Sequence, residues 1–340
     1  MEYGAIDLHT RKSLIRIVAE DGAVVLDRTI TTTREGFAQV FGGRPAMRVL
    51  LETGTESEWV AQAIEAAGHE VIVADPNYAL MYGVTVRAVK TDRRDVTALA
   101  EACRLGIYRA AHRVSAAQRQ IRRQLRVREQ LIRMRTQAIN LLRAQLRQEG
   151  YRLPSGSSAT TAARCRDLAL SAGVRDALAP ILGLLDDLAP RVKACEATAE
   201  RQASADPVVR RLMTAPGVGP IVGLTYRAVI DDVGRFPDAS TSTAFLGLVP
   251  REESSGTRRR KGGITKRGPT ALRVLLIQAA WGIWRQRQGR GALHAWVERL
   301  AARRGRRIAV VALARRLARI LYAMWRDGCD YRPVPVPVTI

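Results

Sequence analysis

Cysteine is sparse in this chain: four residues, Cys103, Cys165, Cys195 and Cys329, with no CxxC pair among them. That spacing offers neither a zinc site nor the disulfide framework of a small secreted domain. No apolar run approaches the roughly 18 residues that span a bilayer, and the opening MEYGAIDLHT carries no signal-peptide core. A reducing cytoplasm is therefore the expected compartment, with no membrane partner. Aromatics are few as well, 5% of residues, so aliphatic side chains must fill the core that a 47% apolar content can build. The four histidines, His9, His69, His112 and His294, show no metal-binding spacing, and no Ser-His-Asp arrangement supports ordinary hydrolase chemistry. His9 lies near Asp7 and reads as a surface neighbour rather than a base.

Acidic side chains are the minority charge. Thirty-two Asp and Glu face 55 Lys and Arg, a formal net charge of +23. A surface that positive attracts polyanions, with DNA or RNA as the default partner. An acidic membrane is the weaker alternative, because membrane binders concentrate charge beside a hydrophobic anchor. Arg outnumbers Lys; its planar fork suits phosphate, although a GC-rich genome enriches Arg whatever the function.

The 340 residues suffice for two domains and a connector. Residues 3–8, 13–18 and 24–28 read as short strands, with Asp21-Gly22 as a hairpin turn. A helix around 34–42, a strand at 46–52, a helix at 56–67 and a strand at 70–75 follow. Three antiparallel strands and then β-α-β units is the order of an RNase H-like fold; periodicity alone says only α/β. From about 92 the chain turns helical. Residues 112–149 predict one long basic helix or helical hairpin, with ten Arg against two Glu. Leu125, Ile132, Ile139 and Leu146 recur every seven residues, and their companions Ile121, Arg128, Arg135 and Leu142 are only half apolar. This is a coiled-coil-like seam with polar interruptions. A Gly/Ser/Pro-rich break covers 150–160, and more helix runs to about 204, with interruptions expected at Pro180 and Pro190. A second compact unit is expected from 207. The fold class expected is α/β plus α, partitioned as 1–110, a helical connector over 111–206, a mostly helical 207–330, and an extended tail over 331–340.

Four acids in the first part stand where metal chemistry would use them. Asp7 lies within the first strand, between Ile6 and Leu8, an expensive place for a lone charge. Glu52 ends the apolar strand. Asp92 and Asp95, in KTDRRD, open a helix, and a spacing of three puts both on one face. Adjacent strands can set Asp7 beside Glu52, and a helix can add the pair. Converging carboxylates repel unless cations neutralise them. Hard divalent ions such as Mg²⁺ take oxygen ligands, and a two-metal site clamps a scissile phosphate. The plainer alternative has Asp92 and Asp95 complementing a helix dipole, and Glu52 serving as a cap or loop residue.

In the second half, MTAPGVGPIVGL at 213–224 resembles a helix-hairpin-helix turn. Gly217 and Gly219 would let backbone amides approach a phosphate at a helix start; an ordinary helix–helix turn is the alternative. Further on, Ser254, Ser255 and Gly256 read as a polar loop before Arg258, Arg259, Arg260 and Lys261. Lys266, Arg267 and Arg273 then lead into an apolar helix. A serine hydroxyl among guanidinium groups can attack a phosphodiester, but Ser-Gly in a basic loop is more often a phosphate-binding or flexible turn.

Taken in order, AIDLHTRK, LLETGTES, VKTDRRDVTALAE, TAPGVGP, RFPDASTSTAFLGLVPREESSG and GGITKRGPTALRVLLIQAA make the chain resemble one known family over nearly its full length. This is the insertion sequence 110 family of transposases, also called DEDD transposases or bridge-RNA-guided recombinases. The resemblance implies a RuvC-like domain at 1–110, a coiled-coil connector at 111–206 and a C-terminal transposase domain at 207–330. It implies that Asp7, Glu52, Asp92 and Asp95 hold Mg²⁺. Its nucleophilic serine, directly before Gly in the loop after GLVP, maps onto Ser255, one residue from Ser254. Donor and target DNA, a structured bridge RNA, and homodimers that pair into tetramers are the implied partners, in a bacterial cytoplasm at the nucleoid. Strand exchange would pass through a covalent serine–DNA intermediate, with the serine supplied by another subunit. Gly217, Gly219, Arg258, Arg259, Arg260, Lys261, Lys266 and Arg267 are then expected on nucleic-acid backbone. Two rivals stand beside this reading: a RuvC-like junction nuclease using water and the carboxylates alone, and a non-catalytic nucleic-acid-binding scaffold.

Overall fold

The computed structural model describes residues 1–83, 92–255, 258–286 and 291–333, with backbone alone at 253–255 and 258–261. The chain falls into two compact units, Met1–Val114 and Ser115–Ile340.

The first unit holds, in chain order, β1 (Tyr3–Asp7), β2 (Lys12–Val18), β3 (Val24–Thr31), α1 (Arg34–Phe41), β4 (Arg48–Glu52), α2 (Ser57–Ala66), β5 (Glu70–Ala74) and α3 (Asp92–Leu105). Its sheet runs β3-β2-β1-β4-β5. The first three strands are antiparallel neighbours, and β4 and β5 run parallel to β1. Local chemistry accounts for the switch. Gly22, at φ +88°, lets β2 turn directly into β3. Parallel strands instead need crossovers, and α1 and α2 supply them.

Both faces of the sheet are covered, so β4 reads as an unbroken apolar run, with Val49, Leu50 and Leu51 all fully buried. On one face Ile6, Ile15, Ile17 and Leu51 pack under Phe37, Phe41, Val60 and Ile64 from α1 and α2. On the other, Ala5, Leu14 and Leu50 pack under Val96, Leu99 and Cys103 of α3. Strand alternation assigns positions 5 and 7 to this second face.

The second unit comprises α4 (Ala116–Gln148), α5 (Thr161–Arg166), α6 (Ala172–Ala205), α7 (Pro207–Leu212), α8 (Pro220–Ile230), α9 (Ala239–Phe245), β6 (Pro250–Ser255), β7 (Arg258–Ile264), α10 (Thr270–Arg285), α11 (Ala292–Arg304) and α12 (Arg306–Arg326). Helix α4 is one continuous helix of 33 residues, about 50 Å at 1.5 Å per residue. It pairs with α6 in antiparallel fashion. Ile121 and Leu125 share a core with Ala199 and Ala203, while Ile139, Leu142 and Leu146 share one with Leu178, Leu182 and Leu185. All eight seam positions are buried or half-buried, while Arg123, Arg126, Arg133, Arg143 and Arg147 are exposed. The polar interruption has its own partners: Arg128 pairs with Glu196 of α6 at 2.8 Å, and Gln202 donates to Gln124 at 2.6 Å.

Two expectations are corrected here. Pro180 and Pro190 lie inside α6 without ending it. Each removes one helical hydrogen bond and costs about 3 kcal/mol in a helix interior. Both prolines are exposed, as are Asp176 and Asp186 four residues earlier, so water can reach the carbonyls that lose their donor. Leu178, Leu182, Leu185, Leu188 and Val192 are buried along the same helix, each contributing about 1.5–3 kcal/mol, which outweighs the loss. The second correction concerns 254–261. An antiparallel ribbon replaces the expected loop, pairing Ser254 with Arg259 and Ser255 with Arg258. Arg251, Glu252, Gly262 and Gly263 are exposed, so no alternation of apolar residues announces these strands. Residues 334–340, most of the expected tail, lie outside the described residues.

The α4–α6 core should be sensitive to truncation. Leu142 is fully buried, and Leu142→Ala is expected to lower unfolding stability by about 2–5 kcal/mol in denaturant titration. Leu141→Ala, at a neighbour 49% exposed, should change it by less than about 0.5 kcal/mol.

Candidate active site

Strands β1 and β4 end together. Ile6 pairs with Leu51, so Asp7 and Glu52 occupy the next step at the C-terminal ends of neighbouring parallel strands, whose backbones lie about 4.8 Å apart. Helix α3 packs over the same sheet face, and its first turn carries Asp92 and Asp95. Sheet register thus sets two acids side by side, and helix docking brings two more to them.

The side chains converge. His9 Nε2 lies 3.3 Å from Asp7 Oδ2 and 3.8 Å from Asp92 Oδ2. Asp7, His9 and Asp92 each offer a ligand atom, all within 4.8 Å of one another. Burial pushes the Asp7 carboxyl above its ordinary value; His9 opposes this, and the like charges of Asp92 and Asp95 add to it. Asp7 Oδ2 is itself buried, with His9 Nε2 3.3 Å away. A desolvated carboxylate oxygen facing other ligand atoms across so small a gap fits a divalent cation, since one ion can touch all three.

Asp7, Asp92 and Asp95 therefore share one field, and Glu52 stands beside Asp7 in the sheet. His9 is the residue that sequence reading set aside. It is 56% exposed, a surface residue as expected, yet its ring belongs to the cluster. Its signal was the i+2 spacing from Asp7, which in extended chain returns to the same face.

The glycine turn lies between α7 and α8. Gly217 has φ +73°, and a Cβ there would sit 2.9 Å from the Ala279 carbonyl and from Ile283 Cγ1 of α10. Its close approach is to the protein's own helix. Gly219 caps α8 in ordinary extended backbone with open space around it, which leaves room for an incoming group.

Lys266 and Arg267 are exposed, and Lys266 takes φ +57°. They ride on a segment clamped to the turn after α9. A Cβ on Gly247 would collide with the Arg267 carbonyl, and one on Gly268 with the Phe245 carbonyl. Arg273 is buried and donates to the carbonyls of Leu246 and Arg267, both at 3.0 Å. That guanidinium closes the clamp. Ser254, Ser255, Arg258, Arg259, Arg260 and Lys261 belong to the ribbon by their backbones, and Gly256 lies outside the described residues. Among the described residues no helix is long and apolar enough to cross a membrane.

Comparison with known proteins matches two stretches. Residues 5–150 match the DEDD transposase profile of IS110 type, and residues 209–295 match the profile described as transposase IS116/IS110/IS902 family. The chain is 31% identical to a "Probable family 20 transposase" of Pseudomonas aeruginosa, over 85% of this chain and 87% of that one. It is 32% identical to the transposase for insertion sequence element IS1111A of Coxiella burnetii, over 73% and 70%. It is 26% identical to the transposase for insertion sequence element IS1328 of Yersinia enterocolitica, over 95% and 96%.

Proposed function

The chain belongs to the IS116/IS110/IS902 family of transposases, and on that premise we propose that it is the DNA recombinase of an insertion sequence, joining a carboxylate centre to a serine nucleophile. The observation that carries this reading is the convergence of Asp7, His9 and Asp92, with Asp95 in the same field, at the end of a strand order that an RNase H-like fold would have.

In this reading Asp7, Glu52, Asp92 and Asp95 hold Mg²⁺. The ion, when bound, neutralises the carboxylates and stabilises charge on a scissile phosphate. The Ser255 hydroxyl attacks phosphorus; an Oγ–P bond forms, a sugar–phosphate ester bond breaks, and the released sugar hydroxyl is kept for rejoining. Because one phosphodiester is exchanged for another, no external energy is needed. Arg258, Arg259, Arg260 and Lys261 offset the charge of the pentavalent transition state, and Lys266, Arg267 and the Gly219 turn contact backbone phosphates. A structured bridge RNA selects donor and target DNA, and dimers pair into tetramers so that the serine of one subunit serves the acids of another.

The test is the fate of labelled donor DNA incubated with the protein and its co-purified RNA in Mg²⁺. The expected product is a protein–DNA adduct that survives denaturation and does not form in EDTA. Cleavage without an adduct would assign the chemistry to water, and binding without cleavage would leave a scaffold. Sequencing of the co-purified RNA is expected to return one discrete structured species; a random cellular mixture would remove the guide from the proposal.

A further inference from the structure

The acids do not account for the whole cluster. We infer that His9 is a direct ligand of the cation at this centre, and that the mixed oxygen–nitrogen donor set shifts its preference toward Mn²⁺ relative to carboxylates alone. The inference rests on the metal-site reading above and adds to it a residue and a selectivity.

Three observations carry it. First, His9 Nε2 is near two acids at once, 3.3 Å from Asp7 Oδ2 and 3.8 Å from Asp92 Oδ2, and these atoms surround one gap. One N–H can align with only one of two carboxylates, whereas a cation in the gap satisfies both acids and accepts the ring nitrogen as a third donor. Second, Asp7 Oδ2 is buried, and the side-chain nitrogen beside it is His9 Nε2 at 3.3 Å. A buried carboxylate oxygen has more than one lone-pair site, and a single imidazole contact leaves room on it for a cation. Third, the backbone at His9 is fixed although its ring is exposed. The Thr32 hydroxyl donates to the His9 carbonyl at 2.7 Å, Thr32 Oγ1 also meets Ser13 Oγ at 2.8 Å, and the Thr32 amide donates to the Arg11 carbonyl at 3.0 Å. The chain leaving β1 is thus tied to the ends of β2 and β3, which fixes the backbone that carries the imidazole.

The selectivity follows from donor chemistry. Mg²⁺ prefers oxygen ligands in near-ideal octahedra and keeps its water, while imidazole nitrogen suits transition ions. A site of carboxylates alone gains little by exchanging Mg²⁺ for Mn²⁺. A site with one nitrogen gains a bond that Mg²⁺ uses poorly.

The experiment uses the full-length protein without DNA and Mn²⁺ as the probe. Pulsed electron paramagnetic resonance of bound Mn²⁺ is expected to show coupling to a directly bound ¹⁴N. His9→Ala and His9→Gln should both lose that coupling. Each should weaken Mn²⁺ binding by about tenfold or more, at least what an outer-shell partner costs. Mg²⁺ binding, read by competition, should move by less than about threefold because nitrogen contributes little to it. The glutamine variant keeps a polar side chain, so agreement between the two variants removes packing as the cause. Absence of coupling in the wild type, persistence of coupling in the variants, or equal losses for Mn²⁺ and Mg²⁺ would each overturn the assignment of His9. Asp7→Asn separates the two layers: Mn²⁺ binding that depends on Asp7 but not on His9 sinks only this inference, whereas Mn²⁺ binding indifferent to Asp7 sinks the metal site itself.

Discussion

Asp7→Asn is expected to abolish DNA strand cleavage, by on the order of a thousandfold or more, the scale on which loss of a group stabilising transition-state charge is felt. The fold should survive. Asn keeps the shape of Asp and one carbonyl oxygen but carries no charge to balance a cation. Sheet register places residue 7 at the strand end, after the buried Ala5 and Ile6, so the core beneath is untouched. The direction of the Asp7 shift gives a second readout. Its folded carboxyl lies above the ordinary value, with burial the largest cause. A raised carboxyl contributes stability that is fully present below its unfolded value and is lost as pH rises through the folded one. At neutral pH without metal, the ionised Asp7 therefore disfavours folding, and Asp7→Asn should melt at the same temperature as the wild type or higher. Added Mg²⁺ should raise the melting temperature of the wild type by mass action and leave the variant unmoved. A variant that cleaves DNA at the wild-type rate would end the carboxylate account.

Ser255→Ala is expected to remove the covalent adduct altogether while sparing the fold and RNA binding. Alanine has no oxygen to attack phosphorus, and no other group can form the same ester, so the effect exceeds that of losing a positioning contact. The position lies in the ribbon by its backbone pairing with Arg258, and losing one hydroxyl there is expected to cost little stability. Ser254→Ala is the control, and it is discriminating, because successive positions of a strand belong to opposite faces of the ribbon. Denaturing gels of end-labelled DNA read both variants. An adduct that persists in Ser255→Ala and vanishes in Ser254→Ala would move the nucleophile by one residue. Cleavage that persists in Ser255→Ala without any adduct would favour water.

Much of the fold is legible in the sequence wherever local pattern is strong. The strands of the first unit, the crossover helices and the heptad seam of α4 coincide with their periodicities, because apolar spacing is decided by the face that each element buries. Legibility fails where tertiary packing overrides a local rule. Pro180 and Pro190 look like helix ends, but exposed prolines on a helix held by Leu182, Leu185 and Leu188 do not interrupt it. The ribbon at 250–264 looks like a loop because its charged and glycine residues carry no apolar alternation. Gly217 reads as a position of close backbone approach, and the packing that requires it, against Ala279 and Ile283 of α10, comes from a distant segment.

Order along the chain, excess positive charge and family membership were decided by the sequence itself, since each is a sum over residues or a local repeat. Which acids meet was decided only in three dimensions. Asp7 and Asp92 are 85 positions apart in the chain, and what joins them is the parallel pairing of β1 with β4 and the docking of α3 on one sheet face. His9 shows the same division: its spacing from Asp7 was visible from the start, but its place in the cluster depends on Asp92 arriving from another element. Proximity between distant residues is a property of packing, and no pattern confined to one segment encodes it.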